Sequence, residues 1–346
     1  MKELLTGNEA FARGVIDAGV HFASAYPGTP SSEILKNIAL DDRLVAEWAP
    51  NEKVAMESAI GASIAGGRAF ASMKHVGLNV AADPFMTYAY MGVHGGFVFV
   101  SADDPGQHSS QNEQDNRNFA KFGKVAMLEP SDSQECYDMV REAYELSEEL
   151  NTIVMVRSTT RISHAKSLVE TRERKEVPIQ PLWDRATNMQ HFGSAPSSSK
   201  PNRRLLDARQ PKMRAAAEAS PFNTVEDNGA DIGIVTSGAA YNYVKEVFGD
   251  QANILKLGFT CPLPLDKIRE FAGTVKKLYV VEELDPFMEE QIKAAGIDCI
   301  GKEVIPAVDE LNPGIIAKAL LGEEHKGIQI DPKDLIPRPP TMCAGC

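Results

Sequence analysis

Between residues 6 and 156 the sequence switches repeatedly between two hydrophobic periods, and this alternation restricts the fold more than any other feature of the chain. Ala10, Phe11, Val15 and Ile16 recur at helical spacing within Thr6–Ala18, and His21–Tyr26 then reads as a short buried strand. The same scheme predicts helices from Glu52 to about Gly66, through Val80 to Met91, and from Ser133 to about Leu150. Strands are predicted at Ala69–Met73, Phe97–Ser101, Val125–Leu128 and Thr152–Val156. Strands separated by helical patterns imply an α/β fold: a parallel sheet with helices on both faces. Ligands of such sheets gather at the C-terminal ends of the strands.

Three polar clusters follow predicted strands directly and so could share one rim: Tyr26-Pro27-Gly28-Thr29, Lys74-His75 and Asp103-Asp104. Thr29 followed by Pro30 suits a helix start, because the hydroxyl accepts a free backbone N–H and proline has none to leave unpaired. The N–H groups and hydroxyls of Ser31 and Ser32 would then face outward from a positive helix end that favours a carboxylate or phosphate. An ordinary strand-turn-helix corner would use the same residues. Glu52 opens the second helix, where Ala55, Ala59, Gly61, Ala62, Ser63, Ala65 and Gly66 are small enough to admit a ligand or another backbone. Glu52 is equally explained as a carboxylate favoured by the helix dipole, with Asn51 as its cap. Lys74 and His75 read either as a solvated turn or as contacts to a ligand, histidine being adjustable in charge near neutral pH. Ser109–Asn118 is almost devoid of apolar residues. It reads as a loop or polar helix start that is solvated, closes over the site, or meets another subunit.

Residues 166–220 lose periodicity and contain Pro178, Pro181, Pro196, Pro201 and Pro211, which predicts a long linker. Its Lys200, Arg203, Arg204, Arg209, Lys212 and Arg214 are read as a solvated segment lying along acidic domains. Alternation then resumes with strands Asp231–Val235, Asn253–Leu257 and Leu278–Val281, helices Tyr241–Phe248, Asp266–Phe271 and Pro286–Ala295, and a last strand near Cys299-Ile300. Glu282 and Glu283 are adjacent in a strand and point to opposite faces, so they are assigned a structural or interfacial role rather than acid/base pairing. Thr236-Ser237-Gly238 is a weak phosphate-turn signal, and no complete dinucleotide or P-loop motif is present. The chain of 346 residues suits two domains. Its net charge of −12 argues against a general nucleic-acid binder. No apolar run has the length of a membrane span and no signal peptide is evident, so a cytoplasmic location is expected. Cys136, Cys261 and Cys299 are scattered, and Cys343 and Cys346 form a C-x-x-C, a pattern unlike a secreted disulfide framework.

Taken together, Tyr26-Pro27-Gly28-Thr29-Pro30-Ser31-Ser32, Asn51-Glu52-Lys53-Val54-Ala55, Gly61-Ala62-Ser63 and Lys74-His75-Val76-Gly77-Leu78-Asn79 resemble the thiamine-diphosphate-dependent 2-oxoacid:ferredoxin oxidoreductases. So do Ala102-Asp103-Asp104-Pro105, Ser109–Asp115, Gly233–Gly238, Val281–Leu284 and Arg338-Pro339-Pro340, so the resemblance runs nearly end to end. It implies a pyrimidine-binding domain over 1–165, a linker over 166–225, a transketolase-C-terminal-like α/β domain over 226–325, and a tail over 326–346 leading to an absent diphosphate-binding domain. The activity implied is that of the arylpyruvate (indolepyruvate) branch: oxidative decarboxylation of a 2-oxoacid to acyl-CoA with reduction of ferredoxin. The alternatives are a non-catalytic interaction or scaffold subunit that keeps this architecture, and a redox or metal module built on Cys343 and Cys346.

By the same resemblance Glu52, matched by its place ahead of Gly61-Ala62-Ser63, is the glutamate that binds the aminopyrimidine N1′ of thiamine diphosphate. Tyr26, Pro27 and Gly28 join it at the cofactor, and Thr29, Ser31, Lys74 and His75 face the substrate. The Mg²⁺ that accompanies the diphosphate belongs to the absent domain, 4Fe-4S clusters to the complete enzyme, and coenzyme A enters as co-substrate. Implied partners are a beta subunit or the remaining part of the alpha subunit, ferredoxin and a small-molecule 2-oxoacid, within an oligomer and without nucleic acid or membrane. No stoichiometric metal is expected on this chain, because Cys343 and Cys346 supply two of the four ligands a cluster or zinc needs.

Overall fold

The computed structural model describes residues 1–181, 192–193, 195–324 and 330–335. The Cys343–Cys346 tail lies outside them. In chain order the strands are β1 (Lys2–Thr6), β2 (Phe22–Ala25), β3 (Val45–Trp48), β4 (Ala69–Lys74), β5 (Phe97–Asp103), β6 (Ala126–Leu128), β7 (Val154–Thr159), β8 (Lys166–Glu170), β9 (Thr224–Glu226), β10 (Ile232–Ser237), β11 (Asn253–Leu257), β12 (Phe259–Cys261) and β13 (Lys277–Val281). A seven-stranded sheet runs β12-β6-β7-β5-β4-β2-β3, parallel from β6 to β3 and closed at one edge by antiparallel β12. A four-stranded sheet runs β13-β10-β11-β9, in which β9 is antiparallel, and β1 pairs with β8 as a separate antiparallel ribbon.

Helices cover both faces of the large sheet because its central strands are apolar on both sides. Val98 and Val100 of β5 and Val154 and Val156 of β7 enter one core with Phe11 and Tyr137, whereas the alternating Phe97, Phe99 and Met155 enter the other with Met56 and Phe85. That second core also takes Val235, Leu255 and Val280 from the four-stranded sheet, whose opposite face buries Ile234, Ile254 and Val281. One apolar layer therefore joins the two sheets, and β12, which follows β11 in the chain, is contributed to the edge of the larger one.

Local chemistry fixes the helix starts. Thr6 and Glu9 form a reciprocal capping box at Gly7–Asp17, Asp132 caps Ser133–Leu150, and Asn51 accepts the Val54 N–H at 3.0 Å to open Glu52–Ile64. Helices Gly7–Asp17 and Ser133–Leu150 come so close that a Cβ at Gly14 would stand 2.7 Å from the Tyr137 carbonyl oxygen.

The stretch read as a linker is more ordered than its composition suggests. It contains β8 and a 24-residue helix, Pro196–Ala219, with Pro201 and Pro211 inside it. Arg209, read as part of a solvated basic segment, is buried and donates to the carbonyls of Ala89 (3.2 Å) and Met91 (3.0 Å) at the end of helix Ala82–Met91. No helix among the described residues is long and apolar enough to cross a membrane.

Candidate active site

Because β2, β3, β4, β5 and β7 are parallel, the residues that follow each of them lie along one edge of the sheet. Tyr26–Thr29, Asn51-Glu52, Lys74-His75, Asp103-Asp104 and Thr159-Thr160 are brought to this rim. Two contacts tie its parts together. A Cβ at Gly28 would stand 3.0 Å from Lys74 Cβ, and one at Gly77 would stand 2.5 Å from Glu52 Oε1.

The turn after β2 differs from its sequence reading. The helix it leads into is Ser32–Ile38 with Ser31 as its N-cap, so Thr29 does not cap a helix beginning at Pro30. The Ser31 and Ser32 N–H groups do not face outward either. Both donate to the Gly28 carbonyl, at 2.8 and 3.1 Å, and the Ser31 hydroxyl donates to it at 2.9 Å. Gly28 N–H in turn donates to Ser32 Oγ at 2.8 Å. With Ser31 buried, its polar groups close the turn and present nothing to a ligand. Tyr26, Pro27 and Thr29 are half-buried at the rim. Asn8 fixes the far side of the turn by donating to the Pro30 carbonyl at 2.7 Å and to Glu33 Oε2 at 3.1 Å.

Glu52 is 8% exposed, and burial raises the proton affinity of its carboxyl, opposed by a hydrogen bond from its own backbone N–H. No cation contributes to that balance. One edge of the carboxylate lies against the bare Cα of Gly77. A buried acid of raised proton affinity is suited to sharing a proton with a nitrogen base delivered by a ligand.

Lys74 and His75 are enclosed by the Ser109–Asn118 segment. Lys74 Nζ donates to the Ser109 carbonyl at 2.6 Å, and His75 Nε2 lies 3.2 Å from the Asn112 carbonyl and 3.0 Å from Asn112 Oδ1. A carbonyl only accepts, so Nε2 carries a hydrogen, and the buried Nδ1 has no hydrogen-bond partner among the described residues. His75 is fully buried and Lys74 9% exposed, so the loop stands over both side chains. Asp104 braces the loop, accepting from Ser109 N (2.8 Å), Ser110 Oγ (2.6 Å) and Thr160 Oγ1 (2.6 Å). These donors outweigh burial and hold its carboxyl below the usual range.

Behind the rim lies an ionic cluster of which the sequence reading singled out only Asp103. Arg157 Nε donates to Asp103 Oδ2 at 2.9 Å and Nη1 to Glu129 Oε1 at 3.3 Å, all three side chains being buried. Burial pushes the Asp103 carboxyl up to about 6 despite Arg157. Asn116 ties this cluster to the rim, donating from its backbone to Asp103 Oδ2 (3.1 Å) and from Nδ2 to the His75 carbonyl (3.0 Å) and Ser101 Oγ (2.8 Å). The one available signal was an arginine, Arg157, directly after the apolar run Val154-Met155-Val156 and within the same strand, which has to find a buried anion. Glu282 and Glu283 do sit where the sheets meet. Glu282 accepts from Arg117 Nη1 at 2.6 Å, and Glu283 Oε1 accepts from Leu311 N–H at 3.2 Å. Thr236 is buried and Gly238 faces the Pro130 carbonyl, so this turn points at the first sheet. A cleft of about 690 Å³ opens where the Ser109–Asn118 segment meets the second sheet, lined by Asn79, Gln114, Asn118, Phe119, Leu284 and Val308.

Residues 13–230 match the family model described as pyruvate flavodoxin/ferredoxin oxidoreductase, thiamine diP-binding. Over 364 aligned residues the chain is 42% identical to the indolepyruvate oxidoreductase subunit IorA of Methanothermobacter marburgensis, covering 99% of this chain and 58% of that subunit. Among solved structures, 2-oxoglutarate:ferredoxin oxidoreductase from Magnetococcus marinus, with 2-oxoglutarate, coenzyme A and succinyl-CoA bound, superposes with a TM-score of 0.76 at 19% identity. It covers 93% of this chain and 65% of that one. A split-gene transketolase, an inactive beta4 tetramer, superposes at 0.54 and 14% identity, covering 86% of this chain and 88% of that one. At those identities the two superpositions establish the α/β fold.

Proposed function

Since the chain belongs to the thiamine-diphosphate-binding pyruvate flavodoxin/ferredoxin oxidoreductase family, we propose that it forms the pyrimidine side of the cofactor site in an arylpyruvate (indolepyruvate):ferredoxin oxidoreductase. The chain spans just under three fifths of the length of that IorA relative. The reaction of the whole enzyme, the oxidative decarboxylation of a 2-oxoacid to acyl-CoA with reduction of ferredoxin, is therefore part of the proposal. So are the boundaries at 1–165, 166–225 and 226–325, and the cytoplasmic location.

The observation that carries this reading is Glu52, a buried carboxylate whose proton affinity no cation among the described residues lowers, at a helix start on the sheet rim and inside the matched span. Such a group destabilises the chain unless it works on something. When bound, thiamine diphosphate supplies the electron sink that allows a 2-oxoacid to lose carbon dioxide. Glu52 would hold the aminopyrimidine at N1′, and its raised proton affinity favours a proton shared at that atom. Tyr26, Pro27 and Gly28 would flank the ring. Lys74 supplies the positive charge at the rim for the oxoacid carboxylate, with Thr29 beside it, and His75 orders the same edge from beneath the loop. Mg²⁺ and the diphosphate would be held by a beta subunit or by another part of the alpha subunit. The 4Fe-4S clusters, coenzyme A and ferredoxin would belong to the complete assembly.

The test is Glu52→Gln in the catalytically competent assembly. The amide keeps the shape and loses the carboxylate, so exchange of the cofactor C2 proton should fall by orders of magnitude while the chain stays folded. Exchange at the wild-type rate would overturn the assignment.

A further inference from the structure

One of the side chains that tie the two sheets together belongs to the same segment that encloses Lys74 and His75. Arg117 is 1% exposed and spends its guanidinium in two directions. Toward its own loop, Nε donates to Asp115 Oδ1 at 2.9 Å and Nη2 to Asp115 Oδ2 at 2.6 Å. Toward the second sheet, Nη1 donates to Glu282 Oε2 at 2.6 Å, and Nη2 to the carbonyls of Glu283 (2.7 Å) and Asp285 (3.1 Å). The Phe287 ring lies under the guanidinium, 5.1 Å from its carbon. Glu282 is itself immobilised at the end of β13. It accepts from the N–H groups of Met288 (2.9 Å) and Glu289 (3.0 Å) in the first turn of helix Phe287–Ala294.

On the other side, Asp115 leads directly into Asn116, whose side chain holds the His75 carbonyl, and the same loop supplies Asn112 to the His75 ring and Ser109 to Lys74. The segment is almost devoid of apolar side chains, so little packing of its own holds it in place. Its position depends on polar bonds: Asp104 anchors its first residues on the rim, and Arg117 makes charge-assisted bonds from its far end across to the second sheet.

We propose that Arg117 and Glu282 are positioning residues for the active-site rim, through which the second sheet sets the placement of Lys74 and His75. This rests on the reading that those two side chains serve the oxoacid. It predicts that the loop and the corner after β13 open as one unit, and that loosening the pair alters substrate binding more than cofactor binding.

The first measurement needs no variant. Native-state hydrogen exchange of the chain in mild urea should show residues 106–116 and 282–288 losing protection at the same urea concentration, and separate opening would overturn the proposal. The second uses Glu282→Gln, which keeps shape and removes charge, beside Arg117→Lys, which keeps charge and removes the fork. In whichever variant folds, exchange at 106–116 should rise at least tenfold while β4 and β5 keep their protection. In the competent assembly, KM for the oxoacid should rise about tenfold, with kcat within a factor of two and thiamine diphosphate affinity unchanged. Unchanged exchange or unchanged KM would sink the proposal. Lys74→Met separates the two readings: if it raises KM where Glu282→Gln does not, the rim assignment survives and the positioning role fails, and if neither variant moves KM, the rim assignment fails as well.

Discussion

Glu52 and Gly77 meet without a side chain between them: a methyl group at position 77 would come within 2.5 Å of Glu52 Oε1, 2.7 Å of Cγ and 2.8 Å of Cδ. These distances are shorter than van der Waals contact, so one group has to move. Gly77 lies in the first turns of helix His75–Val80 and cannot retreat without disturbing β4, whereas Glu52 can rotate.

Gly77→Ala should therefore act on cofactor binding by displacing the carboxylate. Overpacking of this kind costs about 1–3 kcal/mol. If most of that falls on the carboxylate, the affinity of the competent assembly for thiamine diphosphate drops roughly tenfold to a hundredfold, with the melting midpoint nearly unchanged. Calorimetric titration with the cofactor checks this, and wild-type affinity would show that Glu52 is not held where the cofactor needs it.

Glu52→Gln has a second consequence in the free chain. Burial raises the folded-state proton affinity of this carboxyl above its unfolded value, so as pH rises the unfolded chain gives up the proton first and stability falls through the folded-state pKa. The amide removes that loss. Above neutral pH the variant should be at least as stable as the parent, with a gain of up to about 1 kcal/mol by urea denaturation. A clear loss of stability would mean that the carboxylate is structural.

The legibility of the chain follows from where its polar groups had to go. The parallel sheet and its rim could be read because β4, β5 and β7 are buried on both faces and leave an almost continuous apolar signal. The helix Pro196–Ala219 could not. Its buried positions, Ser198, Asn202, Leu206, Arg209, Met213 and Ala217, keep helical spacing, but half of them are polar and the hydrophobic period is diluted. The edge strand β3 escaped for the opposite reason, because Val45 and Trp48 are exposed and give no buried face to detect. At the site, the common rim of Tyr26–Thr29, Lys74-His75 and Asp103-Asp104 was legible, whereas the turn at Thr29 was not. Local preference placed the cap on Thr29-Pro30, but the Gly28 carbonyl captures both serine N–H groups and moves the helix start to Ser31.

Arg209 offers a test of the helix that was missed. Burial pulls its pKa down to about 10, still protonated at neutral pH, and it holds two carbonyls at the C-terminal end of Ala82–Met91, where a cation is favoured. Arg209→Met removes both charge-assisted bonds and leaves those carbonyls without that donor, for a loss of roughly 2 kcal/mol by urea denaturation. A change within about 0.5 kcal/mol, the range of ordinary surface substitutions, would show that the helix is not docked through this residue.

Glu283 gives the junction between the sheets a pH dependence. Burial raises its carboxyl from 4.5 to about 7, against the opposing charge of Arg157 and the Leu311 N–H. Between these values the folded chain retains a proton that the unfolded chain has lost, so stability falls as pH rises from about 4.5 to 7 and then levels. A shift of this direction is worth roughly 1–3 kcal/mol over that window, at 1.36 kcal/mol per unit, with the Asp103 carboxyl at about 6 adding to the same slope. Glu283→Gln mimics the protonated form and should flatten the dependence, matching the parent near pH 5 and exceeding it near pH 8. Urea titrations of both chains at the two pH values decide the point: parallel pH profiles would mean that Glu283 stays ionised in the folded chain and that the junction draws its proton elsewhere.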